Sequence, residues 1–563
     1  MMQQQTSRIM RLRPVATMVA NQNRFVHSSL PSGGWAQPTL EDSVTHDAHE
    51  VFLAGMRHHH TANTAYPIAH GTTVKPYRVQ RTRDQKAIRE TLVGAYGGLE
   101  EMMLYVHVPF CAQRCQFCEY TVVDPKDGRR DAVQDKYFKA LFGEFDLYRD
   151  MLDTRSKRLV GFDIGGGTPS MASTDNIARV MDKAAACFQM DLQSMDVSIE
   201  TTPKIAASEP EKIRAYYDMG IRRISMGVQT TDFALAKRLG REDGDYLAAA
   251  RDNIRNAGFQ SFNIDLMYGF PLREGGKDKW CETVQNTIDT LDPDHITLYR
   301  MRYKGTKMAH LQERIGLTQV NRQGAVAASL LKDNGYEGWV GKNTYSRTAG
   351  SSGCSDYLEK RVVQGVPYLG MGLGAQSFSQ STLAYNLGGV TKRLEQYWKS
   401  VELGRVPIQD LYHLSHSGAM GKFCSVSFYF GGISLSAFEA NFGVSLSTAF
   451  PDEVAFVVDE GLMERTLDGD RLQLTVKGKS HYSGVLALFY APHVQQQLLE
   501  MPGGELGVMD TLNSGAQSKR PYVGIPVGRY EYKPRKRDPR PVLSDDWAMP
   551  VAVAQDTMPI MRA

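Results

Sequence analysis

Leu104-Tyr-Val-His-Val108-Pro-Phe110 runs directly into Cys111-Ala-Gln-Arg-Cys115-Gln-Phe-Cys118-Glu-Tyr120. The first part is an alternating, β-branched run that predicts a strand closed by Pro109. The second part presents thiols on a loop at the spacing C-x3-C-x2-C. Three thiolates on so short a loop can hold three corners of a cubane iron–sulfur cluster and leave one iron without a protein ligand. A zinc site completed by His107 or a distant group is the competing reading of the same cysteines. A disulfide fits less well, because the seven cysteines are an odd number and no secretory signal is evident.

The 563 residues are enough for several domains and a large core. A composition of 42% hydrophobic and 23% charged residues is ordinary for a globular protein. The net charge of +3 is too small to argue for nucleic-acid or membrane partners, and no apolar run approaches the ~20 residues that span a bilayer. Residues 1–40 carry Arg, Gln and Ser and no acid before Glu41. That composition suits an extension on a cytoplasmic protein; the alternative is a transit peptide to the mitochondrial matrix.

From residue 101 strands and helices alternate. Strands are expected over 104–110, 159–165, 196–202, 223–230, 262–269 and 295–301, and helices over 133–148, 176–188, 211–219, 246–257 and 279–291. Such βαβ repetition means a parallel sheet, and in parallel barrels the chemistry gathers at the C-terminal strand ends. Chemistry-bearing residues do occur there. Asp163-Ile-Gly-Gly-Gly-Thr168-Pro169 follows the second strand, where glycines can turn backbone N–H groups onto a ligand or simply make a tight turn. The third strand ends in Ser198-Ile-Glu200, a carboxylate able to accept two hydroxyl hydrogen bonds. The fourth gives Arg223-Ile-Ser-Met-Gly-Val-Gln229 and then Gly240-Arg241, and the fifth Asn263-Ile-Asp265-Leu-Met-Tyr-Gly-Phe-Pro271. Arg300 and Arg302 follow the sixth; they can hold ligand carboxylates or cap a helix. Cys354 stands alone, either packed and inert or, beside a radical site, a donor of hydrogen atoms. Residues 41–100 show no strong periodicity, and His58-His-His60 reads as a solvated loop.

Taken in order, Tyr-Val-His-Val-Pro-Phe-Cys, Gly-Gly-Gly-Thr-Pro, Ile-Glu-x-x-Pro, Ser-x-Gly-Val-Gln, Gly-Arg-Glu and Asp-Leu-Met-Tyr-Gly-Phe-Pro resemble the radical S-adenosylmethionine (SAM) superfamily. They resemble in particular its oxygen-independent coproporphyrinogen III oxidase-like (HemN-like) branch, closely over residues 100–300 and more loosely to 490. Thr64-Ala-Tyr-Pro-Ile-Ala69 faintly resembles a Tyr-Pro motif of the same branch. The resemblance implies an α/β fold: a partial parallel (β/α)6 barrel with a C-terminal helical, winged-helix-like domain. It implies a [4Fe–4S] cluster on Cys111, Cys115 and Cys118. It implies that Tyr105, Phe117, Gly166, Gly167, Thr168, Glu200, Gln229, Arg241 and Asp265 line a SAM site. Reductive cleavage of SAM to a 5′-deoxyadenosyl radical, a small-molecule substrate and an electron donor such as flavodoxin or ferredoxin come with it. The expected segments are an extension (1–40), a lead-in (41–100), the barrel (101–345) and a Gly-rich barrel-closing stretch (346–405). A C-terminal helical domain (406–495) and a disordered tail (496–563) complete them.

Two departures from the branch bear on the reaction. Tyr120 stands where the coproporphyrinogen oxidases carry a further cysteine, and the stretch around Cys354–Leu358 lacks the His-Asn-x-x-Tyr-Trp of the haem chaperones. The expectation is therefore transfer of a methyl or methylene group to an sp2 carbon of a tetrapyrrole or natural product, using a second SAM. The alternatives are a coproporphyrinogen III oxidase-type dehydrogenase and a haem chaperone.

Overall fold

Strand β1 (Glu101–Val108) is apolar on both faces, and Met102, Met103, Leu104, Val106 and Val108 are fully buried. A strand so enclosed belongs in the interior of a parallel sheet. It lies there in the computed structural model, which describes residues 44–59, 84–124, 130–241, 244–272, 276–303, 305–389 and 392–501.

Strands β2 (Arg158–Gly166), β3 (Val197–Thr201), β4 (Ile221–Gln229), β5 (Ser261–Tyr268) and β6 (His295–Arg300) follow in sequence order, each parallel to its neighbour. Helices Arg130–Leu152, Thr174–Cys187, Pro210–Asp218, Leu247–Ala257 and Trp280–Leu291 connect them. These are the six strands and five helices expected from the pattern. Local signals set their ends. Ser173 caps the helix that starts at Thr174 by accepting the Asn176 N–H at 3.2 Å, and Gly258, at φ 104°, stops the helix ending at Ala257. This is the fold expected of a partial parallel (β/α)6 arrangement.

The sheet extends past the six strands at both edges. β7 (Thr344–Ser346) pairs antiparallel with β6, and a two-residue strand, Gln189–Met190, pairs with β2. On the other side β8 (Tyr368–Met371) runs parallel to β1. β9 (Gln376–Phe378), β10 (Thr382–Asn386) and β11 (Ile408–His413) then continue as an antiparallel meander. The Gly-rich stretch thus lengthens the sheet on the β1 side. Glu144, fully buried under this join, accepts hydrogen bonds from Gly372 N–H (2.8 Å), Asn386 Nδ2 (2.7 Å) and Tyr397 OH (2.6 Å).

A second core holds the C-terminal region. β12 (Gly432–Ser434), β13 (Met463–Arg465) and β14 (Arg471–Leu474) form a small antiparallel sheet, with helices Pro451–Asp459 before the β13–β14 ribbon and Val476–Ser480 after it. This is the expected winged-helix-like piece. The helix Pro492–Glu500 buries Leu498, so ordered chain runs past residue 495. Residues 41–100 also hold more structure than their pattern indicated: helices Ala48–Arg57 and Gln85–Tyr96. Each is about three turns long, so its apolar stripe is short and easily missed. The first belongs to the second core. Phe52 lies 5.6 Å from Phe456 and 5.9 Å from His481, ring centre to ring centre, and Gly55 lets Ala487 approach. His60, the 64–69 stretch, residues 1–40 and residues 502–563 lie outside the described residues.

The close approach of β8 and β9 leaves no room for a side chain at Gly370, where a Cβ would stand 2.0 Å from the Gln376 carbonyl oxygen. Gly370→Ala is expected to destabilise the fold by about 1–3 kcal/mol. Gly98→Ala, whose Cβ meets nothing within 4 Å, should be near neutral. Urea unfolding of the two variants beside the parent measures the difference.

Candidate functional site

Three loops leave the C-terminal ends of β1, β2 and β4, and backbone hydrogen bonds tie them together. Beyond β1 the ladder continues, with Gly167 N–H donating to Val108 O at 2.9 Å and Thr168 N–H to Phe110 O at 2.8 Å. The cysteine loop is closed at its base by Cys111 N–H on Val123 O (3.0 Å) and Val123 N–H on Pro109 O (2.7 Å). Gln116 N–H donates to Leu239 O (3.0 Å), and Gln113 Nε2 to Gly240 O (2.6 Å). Gly166 sits at φ 123°, and a Cβ there would press on the His107 ring at 2.7 Å; one on Gly167 would meet Phe110 O at 2.7 Å. Only glycine allows the two loops this approach.

These loops open onto a cavity of about 1350 Å³. Cys111, Cys115 and Cys118 line it, together with Tyr105, Phe117, Gly166, Gly167, Thr168, Glu200, Gln229, Arg241 and Asp265. Every residue named from the sequence for the cluster and for SAM therefore faces one space. Cys354 does not line it; the thiol packs with Val362, Val426 and Phe430 beside the cavity wall.

The three thiols are free, and each is partly exposed. Burial pushes the Cys111 thiol up to about 12, against the opposing hydrogen bond of Thr168 Oγ1 at 3.7 Å, and raises that of Cys118. A thiolate in such a place needs a cation beside it, which iron supplies. Arg241 Nη1 stands 3.9 Å from Cys115 Sγ, and Arg114 Nη2 donates to Cys118 O at 2.8 Å. The donor set fits a [4Fe–4S] cluster. Among the described residues no three His, Cys, Asp or Glu side chains are placed to share one ion; in a cubane each thiolate takes its own iron. His107 is committed elsewhere. Its Nε2 donates to Thr121 O at 2.7 Å and its Nδ1 faces Tyr105 OH at 3.3 Å. Burial lowers it to about 4, so the ring is neutral near pH 7.

Asp163, Glu200 and Asp265 share the floor of the cavity, Glu200 exposed to it and the two aspartates half-buried. Glu200 Oε2 accepts the Gly166 N–H at 3.1 Å. Asp265 accepts from Asn263 Nδ2 (2.8 Å) and Ser225 Oγ (3.4 Å), and Asp163 from Ser355 Oγ (2.7 Å). Burial raises Glu200 to about 8, with repulsion from Asp265 adding to it, and raises Asp265 and Asp163 to about 6. Arg223 lies buried among them, donating to Ser198 Oγ (3.1 Å) and Gly353 O (3.3 Å). Acceptors here suit a diol and a cationic ligand.

The rest of the wall is basic and aromatic. Twelve Lys and Arg side chains line the whole cavity against five Asp and Glu. The two arginines singled out in sequence are both present, but each is engaged. Arg302 pairs with Glu119 and donates to Tyr429 OH at 3.2 Å, while Arg300 lies 3.1 Å from His59 Nδ1. Neither caps a helix. Sequence reading passed over Arg361, Lys422 and Lys479, which also line the space. Lys422 carried one faint signal, a cation inside the small and apolar run Gly418-Ala-Met-Gly-Lys-Phe-Cys424.

Residues 105–276 match the Radical SAM superfamily. The chain is 24% identical over 385 residues to the haem chaperone HemW of Lactococcus lactis, covering 66% of this chain and 93% of that one. It is 25% identical over 422 residues to the oxygen-independent coproporphyrinogen III oxidase of Pseudomonas aeruginosa, 70% of this chain and 87% of that one. A match to HemW of Haemophilus influenzae is 30% identical and spans 37% of this chain and about half of the relative, 53%. The fold aligns with coproporphyrinogen III oxidase HemN from Escherichia coli, described as a radical SAM enzyme. The TM-score is 0.60 at 23% identity, over 76% of this chain and 96% of that one. Among the described residues no helix is long and apolar enough to cross a membrane.

The cavity-floor carboxyls set a pH dependence. A carboxyl whose pKa rises on folding holds its proton more tightly in the folded chain. Its stabilising contribution is complete below its unfolded value, near pH 4, and is lost as pH rises through about 6 for Asp265 and about 8 for Glu200. The urea midpoint of the cofactor-free protein should therefore fall from pH 5.5 to pH 8.5, and Asp265→Asn should flatten that fall. An unchanged slope in the variant would contradict the shared floor.

Proposed function

The chain belongs to the HemN-like family of the radical SAM superfamily, and on that premise we propose that it is an oxidoreductase acting on a carboxylate-bearing tetrapyrrole of the coproporphyrinogen kind. The observation that carries this reading is the single cavity beside the cysteine loop, lined throughout by twelve Lys and Arg side chains against five Asp and Glu and by many tyrosines. A large planar ring with several carboxylates matches such a lining in charge, shape and size.

Cys111, Cys115 and Cys118 would hold the [4Fe–4S] cluster. Gly166, Gly167, Thr168, Glu200, Gln229, Arg241 and Asp265 would hold SAM against it. When bound, the two supply a reducing electron and a carbon radical that takes a hydrogen atom. The chain's own part is placement and exclusion of water. The glycine loop, its N–H groups held by Glu200, Val108 and Phe110, lets a ligand come close to a backbone without side chains, and Glu200 presents a carboxyl to its hydroxyls. Tyr105 stacks on Tyr357 with ring centres 5.9 Å apart and walls the space between the two loops.

The relatives are oxidases and haem chaperones by name, so they support an oxidase or a haem-handling reading and lend nothing to methyl or methylene transfer. The haem-chaperone reading draws on the HemW relatives, and a haem titration separates it. Tyr120, in place of the further cysteine, leaves coproporphyrinogen III and its close relatives to be told apart by product analysis.

The test is anaerobic. Reconstituted protein with SAM, dithionite and coproporphyrinogen III should form 5′-deoxyadenosine together with a product that has lost carbon dioxide. Cys111→Ala should lower both by about 100-fold or more, since a cluster missing one of its three thiolates is not held. Equimolar S-adenosylhomocysteine would point to methyl transfer. Stable haem binding without consumption of SAM would replace the enzyme reading with the chaperone.

A further inference from the structure

Arg361 and Lys422 reach the same part of the cavity from two different units. Arg361 lies on the tight helical turn Lys360–Gln364 that precedes β8, and Lys422 on the helix His416–Ser427 of the C-terminal region. Both line the large cavity, and both line a small side pocket that opens beside Tyr368. Arg361 is held from below by rings: its guanidinium lies 4.9 Å from the centre of Tyr368 and 6.0 Å from that of Tyr357. Its Nη2 donates to Gln376 Oε1 at a long 3.4 Å, and the Tyr357 hydroxyl is a further hydrogen-bond partner. The Nε is buried and finds no hydrogen-bond partner among the described residues. No carboxylate there forms an ion pair with Arg361; Asp163, whose charge reaches it through space, takes its hydrogen bond from Ser355.

A guanidinium has five N–H donors and cannot shed its charge. Held in a poorly solvated wall next to a second cation and without an anion, it is left electrostatically uncompensated. The neighbouring ammonium responds to the same imbalance: burial first, and then the Arg361 charge, push Lys422 down to about 7. One carboxylate placed between the two would face both charges and could take the Arg361 Nε–H. Arg302, the residue that sequence favoured for that task, already has Glu119.

We propose that Arg361 and Lys422 form a carboxylate-binding subsite of the cavity, with Tyr357 and Tyr368 as the aromatic shelf that positions the guanidinium. The proposal deepens the tetrapyrrole reading and rests on it in one respect, the source of the carboxylate. A propionate of the ring and the amino-acid carboxylate of a SAM molecule present the same group, and the ring propionate is the source expected of so wide a wall.

Binding measurements separate these cases without turnover. Full-length protein, its cluster reconstituted, is titrated with coproporphyrin III, with the tetramethyl ester of that porphyrin, and with SAM. The wild type is compared with Arg361→Gln, Arg361→Lys and Lys422→Met, and thermal melting establishes that each variant folds. Arg361→Gln and Lys422→Met should weaken the porphyrin acid about tenfold or more, the scale of a charge-assisted hydrogen bond. They should leave the ester and SAM within about twofold, and Arg361→Lys should recover part of the loss. Weakening of SAM alone keeps the subsite and assigns it to the amino-acid carboxylate. A wild type that binds SAM but no porphyrin removes the tetrapyrrole reading, and the variants' SAM affinity then decides the subsite. Variants that bind porphyrin acid and SAM as tightly as the wild type overturn it.

Discussion

The register between β1 and β2 is the constraint on which the site depends. Val108 stands opposite Gly166, and the ladder carries on for two further bonds into the loops, Gly167 to Val108 and Thr168 to Phe110. Those bonds fix the cysteine loop and the glycine loop in one frame, so that the three thiols and the glycine backbone line one space. A slip of one residue would turn each strand's side chains to the opposite face, and Tyr105 and His107 would leave the cavity together. The apolar face of β1, with Met102, Leu104, Val106 and Val108, holds that register, because a one-residue slip would turn it from the core toward the cavity.

Charge is then distributed around the cavity. Asp163, Glu200 and Asp265 lie on β2, β3 and β5 around Arg223, while twelve Lys and Arg side chains line the space, of which Arg361, Lys422 and Lys479 come from the 360–364 turn and the C-terminal helices. The arrangement offers acceptors to a cationic ligand and donors to an anionic one. Arg302 spends its charge on Glu119, whereas Arg361 rests on ring faces and keeps a buried Nε without a hydrogen-bond partner among the described residues.

The parts legible in sequence are those in which local pattern and chemistry coincide. The six strands, buried on both faces, read as short apolar runs, and the residues just past their ends carry the site. Hence Cys111 to Cys118, Gly166 to Thr168, Glu200, Gln229, Arg241 and Asp265 could all be named before their meeting in space was visible. Arg361 and Lys422 could not. One sits on a turn between irregular segments and the other in the middle of a helix, sixty residues apart in the chain, and no period links them. His107 shows the converse limit: its place beside the cysteines suggested a ligand, but a strand residue pointing toward Thr121 had its hydrogen bond already assigned by the fold. The helix Ala48–Arg57 escaped notice because what it packs against lies at the other end of the chain.

That last pairing has a consequence for synthesis. Phe52 and Gly55 settle against Phe456, His481 and Ala487, so one helix of the second core is made more than four hundred residues before its neighbours. A contact of that sequence separation forms late and slowly. As the ribosome delivers the chain from its N-terminal end, the parallel strands can assemble while residues 48–57 wait with an apolar stripe uncovered. Residues 48–57 and 456–487 meet only when most of the chain has emerged. The C-terminal helices that line the cavity are thus the last part of it to be built, and the thiol loop stays open to the solvent until then.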